Sequence, residues 1–454
     1  MQWKNLLLST CLLGLLSSCS SGSNSAAVAD TAKTDGHPAW IMQGNIYEVN
    51  VRQYSKEGTF KAFATHLDRL KEMGVQTLWF MPINPISVVD RKGEMGSYYA
   101  VASYTKVNPE FGTLDEWKEL VKQAHDKGFK VIIDWVANHT GADHEWLTAH
   151  PEFYVKDSVT GKFVSPYDWT DTRKLNYNNA ALNDSMIASM QFWVKETNID
   201  GFRCDVAGEV PNSFWKRCID SLKTMKNVVM LAEGDEAKLH EAGFDISYSW
   251  NDFALMKKIA KAQTSALALD TALARTDTAF PANNLRMFFT SNHDENSWNK
   301  ADYGTMPGAV HAPFAVITQT IKRSIPLIYS GQEEPVLDSI SFFYKNPIQF
   351  GKYQRAAFYQ KLLKLRTDNA ALAGDANFTK ITTGNDAAIY AYVREKDGKK
   401  VFVITNLSDK EQKATCNNDS IKGDATELFS NEKMSIGKDY TVTLPAWGYK
   451  VWVF

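Results

Sequence analysis

From about residue 40 the chain alternates short apolar runs with amphipathic stretches. Ile46, Tyr47, Glu48 and Val49 read as a strand, and Phe60, Phe63, Leu67, Leu70 and Met73 follow at helical spacing, closing on Gly74. The run 75–81 (VQTLWFM) is the next buried strand. The series continues at 130–136 (KVIIDWV), 201–206 (GFRCDV), 228–232 (VVMLA), 244–248 (FDISY), 287–290 (MFFT) and 325–329 (IPLIY). Eight such runs with helical segments between them predict an α/β fold, a closed (β/α)8 TIM barrel, with an open doubly wound sheet as the alternative.

Two segments leave this rhythm. Residues 139–177 are irregular and rich in polar and aromatic side chains, which predicts a long excursion after strand 3, and loops of that length in a compact domain are usually functional. Beyond residue 377 the period becomes two, at 388–393 (AIYAYV), 401–404 (VFVI), 440–444 (YTVTL) and 450–454 (KVWVF), with a turn signal at Asp397-Gly398. The expected organisation is therefore a catalytic barrel over 37–376 and a C-terminal antiparallel β-sandwich domain over 377–454.

The N-terminus carries a different signal. Lys4 precedes an apolar run too short to span a bilayer, which ends in Leu16-Ser17-Ser18-Cys19. This looks like a bacterial lipoprotein signal peptide over 1–18, cleaved to leave Cys19 acylated; an ordinary secretory signal without the lipid is the alternative. The Ser/Ala-rich stretch 19–36 reads as a flexible tether. The location expected is the bacterial cell envelope, with membrane contact through the lipid anchor only. If Cys19 is lipidated, Cys204, Cys218 and Cys416 remain, too few for a disulfide framework, and Cys204 and Cys218 read as small buried hydrophobes.

Charge narrows the partners. Lys and Arg number 50 against 52 Asp and Glu, a net −2 with no long basic run, which argues against nucleic acid or an anionic surface. Aromatic residues make up 12% of the chain and include 13 Trp. Most of these read as packing residues, but a few in polar loop contexts, such as Trp169 and Trp298, fit sugar-stacking platforms.

The chemistry of a barrel gathers at the C-terminal ends of its strands. Asp134 and then Asn138-His139 close the third strand, Arg203 and Asp205 the fourth, Glu233 the fifth, and Asn292-His293-Asp294 the seventh. Arg203 and Asp205 lie two residues apart, so they share a strand face opposite Phe202 and Cys204. A single acidic residue at a βα junction is usually a helix cap. Several together, with an arginine and two histidines, are more than capping requires.

DWVANH (134–139), GFRCD (201–205), the Glu233 of LAEGD and SNHDE (291–295) resemble, in order, the four short motifs of the α-amylase superfamily, the glycoside hydrolases of family 13. GSYYAVASYTKVNPEFGT (96–113) and IPLIYSGQE (325–333) extend the resemblance, which runs from about residue 40 to the C-terminus. It implies a retaining hydrolase of α-glucosidic bonds in starch-derived glucans or maltooligosaccharides. Asp205 would be the nucleophile, Glu233 the acid/base and Asp294 the third carboxylate, with Tyr99, His139, Arg203 and His293 binding substrate and Asp134 structural. A nucleophile must stay ionised, so Arg203 is expected to lower the pKa of Asp205, while Asp205 and Asp294 are expected to raise that of Glu233.

Some positions depart from the common pattern. Gly208-Glu209 stands where many α-amylases have Lys-His, and DVAGEV with Lys174-Leu175-Asn176 resembles the neopullulanase and cyclomaltodextrinase branch, which handles both α-1,4 and α-1,6 linkages. Tyr98 and Ser103 stand where relatives often carry Pro and Asp. No cofactor is needed for the chemistry. A structural calcium is left open: Asn138 matches a family calcium ligand and Asp143 lies nearby in sequence, but the same Asn could simply tie down its loop. Two other activities share these residues: transfer of the glucosyl group to a second sugar, and binding of starch without turnover.

Overall fold

The computed structural model describes residues 31–300, 303–334 and 338–454, so the expected signal peptide and most of the expected tether lie outside the described residues. The tether's last residues are not loose, as expected for 19–36, but fold back on themselves: Lys33–Thr34 pairs antiparallel with His37–Pro38. The cause is local. Asp35 and Gly36 both take positive φ, 53° and 88°, the backbone of a tight hairpin turn. His37 then anchors the hairpin through a 3.0 Å contact with buried Asp245.

Eight parallel strands form the barrel: β1 (Ile46–Val49), β2 (Thr77–Phe80), β3 (Lys130–Trp135), β4 (Gly201–Cys204), β5 (Val229–Ala232), β6 (Ile246–Tyr248), β7 (Leu285–Met287) and β8 (Leu327–Tyr329). Their order is β7-β6-β5-β4-β3-β2-β1-β8. Backbone bonds from Arg286 N to Arg323 O and from Ile325 N to Arg286 O, both 2.9 Å, join the two ends. The barrel is the expected one, and the open sheet is set aside.

Boundaries moved where polar residues hide in apolar surroundings. The run expected at 287–290 is a strand at Leu285–Met287 instead, because Arg286 is a strand residue, buried and bonded at 2.6 Å to Ser247 Oγ and also paired with Asp235. The helical stretch after β1 is two helices, Phe60–Ala64 and Leu67–Met73, and the second ends on Gly74 at φ 97°. The excursion holds a two-stranded ribbon, His139–Gly141 with Thr172–Lys174, and a short helix, Glu145–Ala149.

The C-terminal domain comprises β9 (Asn377–Ile381), β10 (Ile389–Lys396), β11 (Lys399–Asn406), β12 (Gln412–Asn417), β13 (Gly423–Glu427), β14 (Lys433–Ile436), β15 (Asp439–Leu444) and β16 (Tyr449–Val453). β9-β10-β11-β16-β13-β14 form one sheet and β12-β15 a ribbon. The period of two sets both faces of the sheet. Ala391, Val393, Phe402 and Trp452 pack under the ribbon with Cys416 and Leu444, whereas Tyr390, Tyr392, Val401 and Val451 pack toward the barrel. Arg394 locks the junction by donating to Ile321 O and Ala373 O, each at 2.7 Å. Among the described residues no helix is long and apolar enough to cross a membrane.

Candidate active site

The end of β4 shows why the sequence folds as it does there. A Cβ at Gly201 would lie 2.0 Å from Val229 O, so only glycine lets β4 and β5 approach. Phe202 and Cys204 are then buried on the outer face, and Arg203 points inward. Strand register sets Arg203 beside Asp134 of β3 and Cys204 beside Ala232 of β5, which places Asp205 and Glu233 on adjacent strand ends.

Arg203 is the hub. Its Nη1 donates to Asp134 Oδ1 at 2.8 Å and to Asp205 Oδ1 at 3.1 Å, and its Nη2 lies 2.8 Å from Glu233 Oε2. Nε donates to Tyr248 Oη at 3.2 Å, and the guanidinium lies over the rings of Trp79, Tyr99 and Tyr248. Asp134 also accepts from Trp79 Nε1 and Tyr99 Oη, so it orients Arg203 and the cleft wall, as a structural residue would.

The expectation that Arg203 would depress the pKa of Asp205 is corrected. Burial pushes Asp205 up first, the charge of Glu233 adds to it, and Arg203 only opposes them, so the carboxyl lies well above its ordinary range. Arg203 cannot serve Asp205 alone because the same guanidinium also faces Asp134 and Glu233.

Val206, next to Asp205, has φ 36° and ψ 49°, a left-handed backbone that a β-branched residue rarely adopts. That conformation aims its N–H at Glu233 Oε2, 2.7 Å away.

Two histidines face the same cleft in different charge states. His139 is buried beside Trp169, and burial drops its pKa to about 3, so it is neutral. Burial also pulls on His293, but Asp294 and Glu48 outweigh it and hold the pKa at about 9. His293 Nδ1 lies 2.5 Å from Glu48 Oε1, and its Nε2 lies 2.8 Å from Tyr99 Oη and 3.3 Å from Asp294 Oδ2.

Asp205, Glu233, Asp294, Tyr99, His139 and His293 all line a single cleft of about 350 Å³, and Arg203 lies behind its wall. Every site residue expected from the sequence is thus brought to one place. The cleft also contains residues not anticipated: Lys92, Asp171, Phe342 and Phe343. Lys92 donates to Asp168 O at 3.1 Å and tethers the loop after β2 to the excursion. Phe342 lies nearly parallel to Tyr99, 16° at 6.1 Å, and Trp298, 54% exposed, continues the row 5.4 Å beyond it. Glu48 was also missed, although a carboxylate inside a four-residue buried strand was a visible signal.

A match to the α-amylase catalytic-domain model runs through residues 28–173 and 153–346, more than half of the chain. The chain belongs to this family. Residues 389–448 match a second model, the C-terminal domain of SusG-type α-amylases. An α-amylase from Haloarcula japonica is 25% identical over 90% of this chain, which spans 61% of that protein's length. Neopullulanase 2 from Thermoactinomyces vulgaris is 27% identical over 83% of this chain and 71% of its own. The structure of a maltogenic α-amylase from Thermotoga neapolitana superposes with a TM-score of 0.83 at 25% identity, covering 91% of this chain and 99% of that one.

Many members of the α-amylase family would raise the question of calcium. Among the described residues no group of three His, Cys, Asp or Glu side chains is placed to hold a metal ion. Asp143 spends Oδ2 on the amides of Val88 and Val89, and Lys174 lies 3.6 Å from Glu209 where the Lys-His departure falls.

Proposed function

We propose that the protein is a retaining glycoside hydrolase that cleaves α-glucosidic bonds, mainly α-1,4, in starch-derived glucans or maltooligosaccharides. The observation that carries this is one buried guanidinium touching Asp205 and Glu233 at the floor of the cleft that Asp294 also lines. Carboxyl oxygens held by two nitrogens of one guanidinium suit the separation of about 5–5.5 Å that double displacement needs.

Asp205 attacks the anomeric carbon as the glycosidic C–O bond breaks, and the departing oxygen takes a proton from Glu233. Glu233 Oε2 accepts the Val206 amide, so the proton it transfers rides on the other oxygen. Water then loses a proton to Glu233, attacks the same carbon and frees Asp205. Attack requires an ionised Asp205, whose charge Arg203 Nη1 contacts at 3.1 Å. Asp294 accepts hydroxyls of the reacting ring. The carboxyl pair supplies the acid, base and nucleophile, so the reaction as drawn calls on no cofactor.

Aromatic surface along the cleft suits a chain of sugars rather than a single one: Trp298, Phe342 and Trp169 line it, with Tyr167, 66% exposed, packed against Trp169. Similarity to neopullulanase 2 supports action on α-1,6 bonds as well. The leader ending at Cys19 supports export to the cell envelope and lipid anchoring, which metabolic labelling of wild type and Cys19→Ala with a radioactive fatty acid checks.

The test is incubation with amylose, pullulan, cyclodextrins and maltoheptaose, followed by chromatography of the products, with Asp205→Asn alongside. Shorter sugars only are expected. Longer or relinked products would instead identify a transglycosylase, and equal release of reducing ends by Asp205→Asn would remove Asp205 from its role.

A further inference from the structure

Glu48 is a carboxylate on the barrel's inner wall, fully buried on β1 between its register partners Trp79 of β2 and Tyr329 of β8. Nothing in the reaction drawn above uses it. Its Oε1 faces His293 Nδ1 at 2.5 Å, while Oε2 has no hydrogen-bond partner. A half-satisfied buried carboxylate is costly, and it persists in barrels only where something repays it.

The groups around His293 point to what that is. Tyr99 has one hydroxyl proton and two neighbours within reach, Asp134 Oδ2 at 3.1 Å and His293 Nε2 at 2.8 Å. When that proton is on the Asp134 side, the Tyr99 oxygen is an acceptor toward His293 Nε2. Asp294 Oδ2, 3.3 Å from the same nitrogen, is also an acceptor. A proton on Nε2 serves both the Tyr99 oxygen and Asp294, which a bare Nε2 would leave facing a lone pair. Nδ1, facing Glu48, is the other donor. Both nitrogens are donors only in the imidazolium.

We propose that Glu48 is a positioning residue that keeps His293 doubly protonated, so that Nε2–H donates to a hydroxyl of the reacting sugar beside Asp294. The proposal rests on the hydrolase reading for the sugar but not for the charge of His293. When a sugar displaces the Tyr99 contact, a charged donor is already aimed at it, without reorganisation. The imidazolium also supplies a second positive charge to a site where Arg203 alone faces Asp134, Asp205 and Glu233.

The charged groups around His293 pull in known directions. Glu48 from β1 and Asp294 beyond β7 favour its proton, and Arg203 from β4 opposes it. Asp134 of β3 acts through Tyr99. Trp79 of β2 contributes only an aromatic edge at 6.0 Å. Burial raises the pKa of Glu48 itself, and His293 and Arg203 draw it back down.

The test is nitrogen-15 NMR of histidine-labelled full-length protein, combined with steady-state kinetics on maltoheptaose for wild type, Glu48→Gln and Glu48→Asp. Wild type should show both His293 nitrogens protonated at about pH 7.5, well above the ordinary histidine pKa of about 6.5. Glu48→Gln should show a neutral ring there, with kcat about tenfold lower, the worth of one charge-assisted contact in the transition state. Its deficit should shrink between about pH 8 and about pH 5.5 as the imidazolium reforms. Glu48→Asp should recover part of the loss. A neutral His293 in wild type, or a pH-independent deficit in Glu48→Gln, overturns the proposal; the wild-type spectrum decides it even if the variants do not fold. If wild type hydrolyses no glucan yet its His293 is an imidazolium, the function fails and the Glu48 pairing stands.

Discussion

Replacing Asp205 by Asn should abolish turnover and at the same time make the protein more stable. Asp205 is 7% exposed, and burial together with the charges of Glu233, Asp134 and Asp294 raises its pKa against the pull of Arg203. An acid whose pKa is raised by folding costs stability once pH exceeds its unfolded value of about 3.9, and the cost grows until pH passes the folded value. Each pKa unit that folding adds is worth about 1.4 kcal/mol, so removing the charge should raise stability at neutral pH. The loss of one Arg203 partner takes little back. Arg203 keeps Asp134 and Glu233, both at 2.8 Å, so no buried cation is orphaned. For a chain of this size each such unit corresponds to a rise in Tm of roughly 1–2 °C. Calorimetry at about pH 4 and about pH 7.5 should show a small difference and a larger one, and kcat should fall on the order of 10⁴-fold. A variant that melts at or below wild type at neutral pH, or a gain independent of pH, would refute the account of Asp205 as a destabilised, functionally retained charge.

Other expected outcomes concern different parts of the molecule. Trp298→Ala should raise KM about tenfold for long glucans, through loss of one stacking contact of roughly 1.4 kcal/mol, and leave a short chromogenic maltoside unchanged. Equal effects on both substrates would remove Trp298 from chain binding. Gly201→Ala should cost more than about 3 kcal/mol in urea unfolding, since its Cβ meets Val229 O at 2.0 Å. Stability should fall as pH drops from about 6.5 toward the folded pKa of His139, about 3, because the unfolded chain binds the proton first; His139→Gln should flatten that slope.

Much of the site was legible because it is local. Asp134, Arg203, Asp205, Glu233, His293 and Asp294 sit in short segments at strand ends, and alternation along β4 alone puts Arg203 and Asp205 on one face. The C-terminal domain was half legible. Its apolar strands β10, β11, β15 and β16 announced themselves by period two, while β9, β13 and β14 carry mixed residues such as Lys380, Asp424 and Lys433 and did not. Burial of Arg286 concealed where β7 begins, for a charge paired through tertiary contacts reads in one dimension as a break.

The order of apolar and polar residues, by itself, determined the barrel, the sandwich and which carboxyls meet at the strand ends, because periodicity and strand polarity act over a few residues. Only the tertiary structure decided how the charge is shared among them. His293 meets Tyr99 across 194 positions and Glu48 across 245, and Phe342 comes from beyond β8 to lie along Tyr99. Whether Arg203 serves one acid or three, and whether a histidine is neutral or charged, depends on burial and on distances between groups far apart in the chain. Such electrostatic energies depend on separation in space, which no local pattern specifies.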